Sequence, residues 1–386
     1  MGMFIFTGAC LLLFALYGAL IAWYRKAWTE IPVFTPAAGQ PPRTTISVLI
    51  PARNEEKNIA ACLDSLFNQT YPKGLYEVIV IDDHSTDGTW DLLKNLYFPD
   101  MTTMNLQLAD PVPGTIKAHK KFAIETGVGL ATGELIVTTD ADCEFHPDWL
   151  TTIATFYETT GAKFIAAPVR IGGETGSSSF LSIFQTLDFI TLQGITGAAV
   201  YKKFHSMCNG ANLAYQRTAF LEVDGFRDID DIPSGDDMFL MHKIYKKYPG
   251  QVFFLKSRQA IVSTRPETNW KGFVHQRVRW ASKADRYDDK RIFRVLLLVY
   301  GINLLFLILL AAAFWNSWYL WVLLALLVAK TLVEIPFVGS VSRFFGQQRL
   351  MVYFPLLQPF HIFYTIVIGW LGKFGSYQWK ERKITK

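Results

Sequence analysis

Gly133-Glu134-Leu135-Ile136-Val137-Thr138-Thr139-Asp140-Ala141-Asp142 decides how the rest of the sequence is read. Its aliphatic and β-branched run has the pattern of a buried strand, and it stops at two carboxylates one residue apart. In an open parallel sheet the ligand crevice lies beyond the carboxyl ends of the strands. Two acids on a turning backbone at that edge can hold one hard divalent ion, which in turn can hold a diphosphate. Asp-x-Asp after a strand is also ordinary turn and cap chemistry. The residues that accompany it therefore carry the weight.

Upstream, Thr45 to Ile50 reads as a strand ending at Pro51-Ala52-Arg53-Asn54-Glu55, with a helical pattern after it through Ile59, Leu63, Leu66 and Phe67. Tyr76 to Ile81 predicts a second strand, ending in Asp82-Asp83-His84-Ser85-Thr86-Asp87. A weaker strand is expected near Leu106 to Leu108, then a helix around Lys117 to Leu130. Strands alternating with helices predict an α/β fold with a doubly wound, mostly parallel sheet, and each strand leaves polar residues at its ligand-binding edge. Downstream, Lys163 to Ile171, Asn209 to Arg217 and Val252 to Val262 read as further strands, with a helix at Asp237 to Tyr248. Gly172 to Ser179 reads as a loop. Phe180 to Val200 reads as a long apolar helix, of the core or of a membrane interface.

The 386 residues are 51% hydrophobic and 18% charged, with the apolar excess at the two ends. Met3 to Tyr24 is an apolar run of spanning length, followed by Arg25, Lys26 and Trp28. No basic region precedes it and no small-x-small site closes it, so it reads as a retained anchor rather than a cleaved signal. Its positive flank places the following residues in the cytoplasm. Val295 to Trp315 and Trp318 to Val338 predict a membrane hairpin, and Met351 to Leu371 a third run, interrupted by Pro355 and Pro359. Three full crossings would leave Lys380-Glu381-Arg382-Lys383 outside, against the positive-inside tendency. The proline-containing run is therefore expected to be re-entrant or interfacial. The expected organisation is an anchor at 1–28, a proline-rich linker at 29–44, a cytoplasmic catalytic domain at 45–290, and a membrane domain of two or three spans with a basic tail at 291–386. Such a chain is an integral membrane protein, of the inner membrane in a bacterium.

Four scattered cysteines with no Cys-x-x-Cys spacing argue against a disulfide framework or zinc site and suit a reducing compartment. The net charge of +5 is weighted toward the apolar ends, which favours a lipid bilayer as partner and not nucleic acid.

Four polar clusters are candidates for chemistry. Asp83, with the Pro51 to Glu55 turn, can accept hydrogen bonds from a base edge or ribose. Asp140 and Asp142 form the proposed metal–diphosphate clamp. Ser234-Gly235-Asp236-Asp237 offers a general base for an attacking hydroxyl, although Ser234 and Asp237 also have the spacing of a capping box. In Gln276-Arg277-Val278-Arg279-Trp280 an arginine can neutralise a leaving diphosphate and the tryptophan can stack on a sugar.

Taken in order, Ser47 to Glu55, Val80 to Thr89, Gly133 to Asp142, Gly235-Asp236-Asp237 and Gln276-x-x-Arg279-Trp280 resemble the inverting family 2 glycosyltransferases of GT-A fold, over about residues 45 to 282. The resemblance implies a GT-A (nucleotide-diphospho-sugar transferase) α/β fold with a doubly wound mixed sheet, flanked by N-terminal and C-terminal transmembrane helices. It implies that Pro51, Arg53, Glu55 and Asp83 hold the nucleoside of a UDP-sugar, and that Asp140 and Asp142 hold Mg²⁺ or Mn²⁺. It makes Asp237 the general base, with Asp236 open as a neighbouring alternative because the commoner residue there is Glu. Arg279 and Trp280 go to the diphosphate and, with Gln276, the acceptor. A family lysine falls best on Lys120, with Lys121 as the alternative.

The expected function is transfer of a hexose or N-acetylhexosamine from a nucleotide-sugar donor to a lipid or lipid-linked acceptor, as in the ceramide glucosyltransferases. A processive synthase of the hyaluronan, chitin or poly-N-acetylglucosamine kind, with a growing glycan as acceptor, is the alternative. A non-catalytic membrane sugar-binding protein is a third reading, against which the intact acids at Asp83, Asp140, Asp142 and Asp237 speak.

Overall fold

The structure, a computed structural model, describes residues 2–36, 42–109, 118–172, 179–204, 207–283, 289–379 and 382–384. In chain order its elements begin with α1 (Gly2–Glu30), β1 (Ile46–Ala52), α2 (Ile59–Phe67), β2 (Tyr76–Asp82), α3 (Thr89–Asn95), β3 (Met101–Asn105), α4 (Leu106–Ala109), α5 (His119–Leu130) and β4 (Leu135–Thr138). They continue with α6 (Trp149–Thr160), β5 (Phe164–Ala166), β6 (Val169–Ile171), α7 (Phe180–Tyr201), β7 (Leu213–Gln216), α8 (Arg217–Glu222), α9 (Asp236–Lys247), β8 (Val252–Phe254) and β9 (Val262–Thr264). Last come α10 (Trp270–Ala281), α11 (Lys290–Ala312), α12 (Trp318–Phe344), α13 (Phe354–Phe374), β10 (Tyr377–Trp379) and β11 (Arg382–Ile384). The chain divides into two compact units, Ile31–Gly173 with Thr196–Arg265, and Met1–Glu30 with Glu174–Ile195 and Pro266–Lys386.

The first unit is built on a seven-stranded mixed sheet of order β3-β2-β1-β4-β7-β5-β8. β3, β2, β1 and β4 run parallel, whereas β7 lies antiparallel to both β4 and β5. The strand order reverses across β1 and β4, the topological position at which such sheets open a crevice at their carboxyl ends. β1, β2 and β4 are buried along nearly their whole length, as their near-continuous apolar runs require of parallel strands. Gly133, just before β4, could not be another residue without a clash, because a Cβ there would lie 2.6 Å from the backbone nitrogen of Ser47.

The strand expected at Leu106 to Leu108 lies instead at Met101–Asn105, and Leu106 begins a short helix. This edge strand is only half-buried, so it carries no apolar run. Lys163 to Ile171 is two strands, not one, parted at Ala167-Pro168, and β6 leaves the main sheet to pair with β9. Proline removes a ladder donor at that point. Val252 to Val262 divides in the same way, with β8 in the main sheet and β9 paired to β6. The strand expected over Asn209 to Arg217 keeps only Leu213–Gln216, and Arg217 opens a helix. Asn212, fully buried, explains the irregular segment before β7. Its Nδ2 donates to the Pro168 and Ala260 carbonyls, both at 2.8 Å, and its Oδ1 accepts from Trp149 Nε1 at 3.1 Å.

In the second unit α1, α11, α12 and α13 pack on one another, and each is long and apolar enough to cross a membrane. Their outward residues, among them Phe4, Leu12, Leu297, Trp321, Leu356 and Trp370, are exposed apolar surface of the kind that lipid covers. Pro355 and Pro359 do not interrupt α13. Pro355 sits in its first turn, where an amide donor is not needed, and the helix runs on through Pro359 to Phe374. The expectation of a broken last segment is corrected in that respect. Pro336 is likewise carried inside α12. The expected linker lies partly outside the described residues, at 37–41, and its first two positions belong to α1. Residues 173–178 of the expected loop, and Lys380 and Glu381 of the basic tail, also lie outside them. All four cysteines are free.

Candidate active site

Two turns at the carboxyl edge of the sheet are stitched face to face. Arg53, just past β1, donates from Nη1 to the carbonyls of Asp83 (2.8 Å) and His84 (2.6 Å). Asn54 accepts from Thr86 N on its Oδ1 at 2.8 Å, and its own backbone N–H donates to Ser85 Oγ at 3.0 Å. Glu55, a buried acid, donates its backbone N–H to Thr89 Oγ1 at 2.7 Å and accepts from Asn58 Nδ2 at 2.7 Å. Asn54 and His84 both take left-handed backbone, with φ of 52° and 57°. The Arg53 guanidinium thus shapes the turn that presents Asp83. Burial pushes the Asp82 carboxyl above its usual range, against the Ser85 hydrogen bonds that lower it, and Asp82 Oδ1 has no partner among the described residues.

Asp83 Oδ1 lies 3.0 Å from His84 Nδ1 and 3.1 Å from His119 Nδ1. Ligand atoms of these three residues fall within 4.8 Å of one another, a grouping able to hold a metal ion. Neither histidine stands out in the sequence. His84 is brought in by its left-handed turn and His119 by the start of α5.

The second assembly gathers acids around Lys120. Its Nζ lies 2.6 Å from Asp140 Oδ1 and 3.6 Å from Asp236 Oδ2. Burial alone would lower this ammonium, but Asp140, Asp236 and Asp237 outweigh it and hold the group charged, above its ordinary value. Asp237 Oδ2 accepts from the backbone of Gly210 at 3.2 Å, and the side-chain ends of Asp236 and Lys120 lie close over that glycine. A Cβ there would stand 3.2 Å from both Asp236 Oδ2 and Lys120 Nζ. The neighbouring Lys121 turns away into the core, where it donates to the carbonyls of Ile229 and Ile232. Of the two lysines, Lys120 is therefore the one among the acids.

Asp142 accepts from Thr264 Oγ1 at 2.9 Å, so the end of β9 fixes its direction. The clamp expected at Asp140 and Asp142 offers carboxylate oxygens, the donor set that Mg²⁺ and Mn²⁺ prefer. The Asp83, His84 and His119 group mixes oxygen with imidazole nitrogen. Burial, and then Asp142, push the Cys62 and Cys143 thiols up, which favours the neutral thiol at both. The capping box open to Ser234 and Asp237 does not form. The cap of α9 is Gly235, at φ 82°, and no side chain caps it.

Pro51 lies inside β1, paired in register with Ile81. Gln276, Arg279 and Trp280 belong to the second unit, on α10. There Gln276 Nε2 donates to Glu267 Oε1 at 3.3 Å, and Trp280 packs on Phe189 with ring centroids 5.9 Å apart. Asp83, Lys120, Asp140, Asp142, Asp236 and Asp237 are in the first unit. Gly210, His84, His119 and Thr264 join the expected residues there. Gly210 carries no side-chain chemistry to notice, and the other three are common residue types with no diagnostic spacing.

Residues 47–223 match the family described as Glycosyl transferase family 2. The chain carries a family 2 glycosyltransferase domain. The match takes in Asp83, Lys120, Asp140 and Asp142 and ends before Asp236. Similar proteins include the glycosyltransferase AglE of Haloferax volcanii, 27% identical over 194 residues that make up 49% of this chain and 56% of that protein. A dolichyl N-acetyl-alpha-D-glucosaminyl phosphate 3-beta-D-2,3-diacetamido-2,3-dideoxy-beta-D-glucuronosyltransferase of Methanococcus voltae is 53% identical over 105 residues, 27% of this chain and 31% of that one. The chain thus spans about half or less of these relatives' length. A mannosyltransferase of Pyrobaculum calidifontis, solved with GDP-Man and Mn²⁺, aligns over 94% of this chain and 96% of its own, at TM-score 0.54 and 19% identity. That likeness is one of fold: the family 2 domain is a GT-A domain built on a mixed, mainly parallel sheet, and apolar helices stand outside it at both chain ends.

Proposed function

We propose that the chain is a membrane-bound, inverting glycosyltransferase that moves a hexose or N-acetylhexosamine from a UDP-sugar to a lipid or lipid-linked acceptor. The observation that carries the proposal is the meeting of Lys120, Asp140, Asp236 and Asp237 around Gly210 within a GT-A fold. Asp237 takes the proton of the acceptor hydroxyl, with Asp236 as its neighbour. The hydroxyl oxygen then bonds to the anomeric carbon as the bond to the diphosphate breaks, and the nucleoside diphosphate leaves. A single displacement inverts the anomeric centre without an enzyme nucleophile. Mg²⁺ or Mn²⁺ held by Asp140 and Asp142 would neutralise charge on the departing diphosphate. Asp83, on the turn shaped by Arg53 with Pro51 and Glu55, receives the nucleoside. Arg279 is assigned to the diphosphate, and Gln276 and Trp280 to the acceptor.

A lipid-linked acceptor is supported by the four apolar helices and by the name of the Methanococcus voltae relative, which specifies a dolichyl phosphate-linked sugar. Arg25 and Lys26, after the apolar run of α1, support a cytoplasmic catalytic domain from about residue 45 to 290, between an anchor and a C-terminal membrane domain. The test is a donor screen with the full chain in lipid nanodiscs, with and without EDTA, followed by mass analysis of the organic-extractable product. One sugar added to a lipid, abolished by EDTA, is the expected result. Long water-soluble glycan as the product overturns the acceptor class, and no transfer from any nucleotide sugar overturns the activity.

A further inference from the structure

The second unit holds an ion pair to which no catalytic part has been given. Arg277 on α10 is 2% exposed and Asp188 on α7 is 8% exposed, with Nη2 and Oδ2 3.1 Å apart. So deep a charge is tolerated only when it is paired. Asp188 gathers other donors as well. Tyr364 Oη on α13 donates to its Oδ2 at 3.5 Å, and His361 Nε2, one turn earlier, lies 3.9 Å from its Oδ1. One carboxylate thus ties α7, α10 and α13 together.

The guanidinium is also stacked. Its Cζ lies 4.2 Å from the centroid of Trp280 and 4.9 Å from that of Phe273, so Arg277 is sandwiched between rings one turn to either side of it on the same helix. The remaining Nη1 donates to Gln276 Oε1 at 3.2 Å, while Nε has no partner among the described residues. Successive residues turn by about 100° around a helix. Trp280 therefore projects between the direction of Gln276 and that of Arg277, and Arg277 limits how far the indole can swing. Phe189, next to Asp188 on α7, also packs on the indole, tilted by 40° with ring centroids 5.9 Å apart. The loop before α10 is fastened to α7 too, by Gln185 Nε2 donating to the Glu267 carbonyl and Glu267 N donating to Gln185 Oε1, both at 3.1 Å.

We propose that Arg277, held by Asp188, is a positioning residue for the acceptor: it fixes the Trp280 indole and the Gln276 amide while touching neither donor nor acceptor itself. The proposal rests on the acceptor role assigned to Trp280 above. It differs from a plain structural role in what it moves. Arg277 acts on the orientation of the lipid-linked hydroxyl, so its loss raises the acceptor KM and leaves the donor KM alone.

The experiment is a double-mutant cycle with the full chain in nanodiscs, using the lipid acceptor and nucleotide sugar from the donor screen. Arg277→Lys keeps the charge and loses the planar stack and the fork geometry. Trp280→Phe keeps a ring but changes the surface offered to the acceptor. Arg277→Lys is expected to raise the acceptor KM about tenfold, the size of a lost desolvated cation–π contact with its geometry, and to change the donor KM by less than about twofold. The double variant is expected to match Trp280→Phe alone, because Arg277 works through that ring. Asp188→Asn, which keeps the shape and removes the charge, is expected to move the acceptor KM in the same direction and serves where Arg277→Lys does not fold. Additive effects in the cycle, or equal losses on donor and acceptor KM, overturn the positioning role while leaving the transferase reading standing. A wild-type chain inert with every donor overturns both.

Discussion

Charged side chains meet in both units, and the two meetings differ in kind. In the GT-A domain one ammonium, Lys120, faces Asp140, Asp236 and Asp237 at a sheet edge that water reaches, with Lys120 20% and Asp140 39% exposed. In the second unit Lys330 and Glu334 of α12 are 0% and 8% exposed, and their opposite charges meet at 2.7 Å. Gln358 of α13 accepts from Lys330 at 2.7 Å and donates to Glu334 at 2.6 Å, and Tyr17 of α1 donates to Glu334. A buried group of this kind is tolerated only because every member is satisfied, and it joins three helices that are each long and apolar enough to span a membrane. Acids gathered at an accessible edge are suited to receiving a cation or a proton, whereas a closed ion pair is suited to holding helices in register. The same residue types thus serve chemistry in one place and architecture in the other.

That contrast can be broken by removing one charge from each side. Asp237→Asn is expected to lower transfer by about 10²–10⁴-fold, the usual worth of a positioned general base, with UDP affinity and thermal midpoint close to wild type. A larger loss in Asp236→Asn than in Asp237→Asn would move the base by one residue. Lys330→Met is expected to act the other way round. It leaves the buried Glu334 charge without its counter-charge and should destabilise the second unit by about 3–5 kcal/mol, read as a fall in the thermal midpoint in detergent. Lys330→Met with Glu334→Gln should recover much of that fall, and a single variant as stable as wild type would remove the architectural half of the contrast. Smaller still, Asn212→Ala should cost about 2–3 kcal/mol in the GT-A domain, because it leaves the Ala260 carbonyl and the Trp149 indole N–H without their donor or acceptor, whereas the Pro168 carbonyl keeps the Val262 N–H. Chemical unfolding of the purified chain measures it.

The part of this arrangement that was legible in the sequence is the part that follows from local pattern. Ile46–Ala52, Tyr76–Asp82 and Leu135–Thr138 are buried on both faces, so their apolar runs are unbroken and their acidic ends stand out. Met101–Asn105 escaped because a half-exposed edge strand alternates weakly, while Leu106, fully buried at the start of a short helix, supplied the apolar signal one element too late. Pro168 divides what reads as one strand, since the chain changes sheets there. Asp188 and Arg277 sit on separate helices, and a long-range pair leaves no periodic trace. The same holds for His84 and His119, which converge on Asp83 with ring centroids 5.7 Å apart. The three C-terminal apolar helices are legible as composition, but the continuity of α13 through Pro359 depends on packing against its neighbours and not on its own propensity.

The least of the expected effects concerns acid. Burial by itself would raise the Glu77 carboxyl, but hydrogen bonds from Ser47 and Thr132 outweigh it and hold the group below its ordinary range. Glu158, which accepts from the backbone of Arg43 and from Thr44, is likewise held low against its own burial. A carboxyl depressed in the folded state stabilises fully above its unfolded pKa of about 4.3 and loses that contribution as pH falls through the folded value. Asp82, raised by burial, has the opposite sign, because the folded chain binds its proton more readily than the unfolded chain does. The thermal midpoint of the wild type should therefore decline below about pH 4.5, with Asp82 blunting the slope. Glu77→Gln should flatten that decline and Asp82→Asn should steepen it, in midpoints measured between about pH 3 and 7. Both carboxyls belong to the GT-A domain, so a probe of unfolding confined to that domain should report both changes of slope.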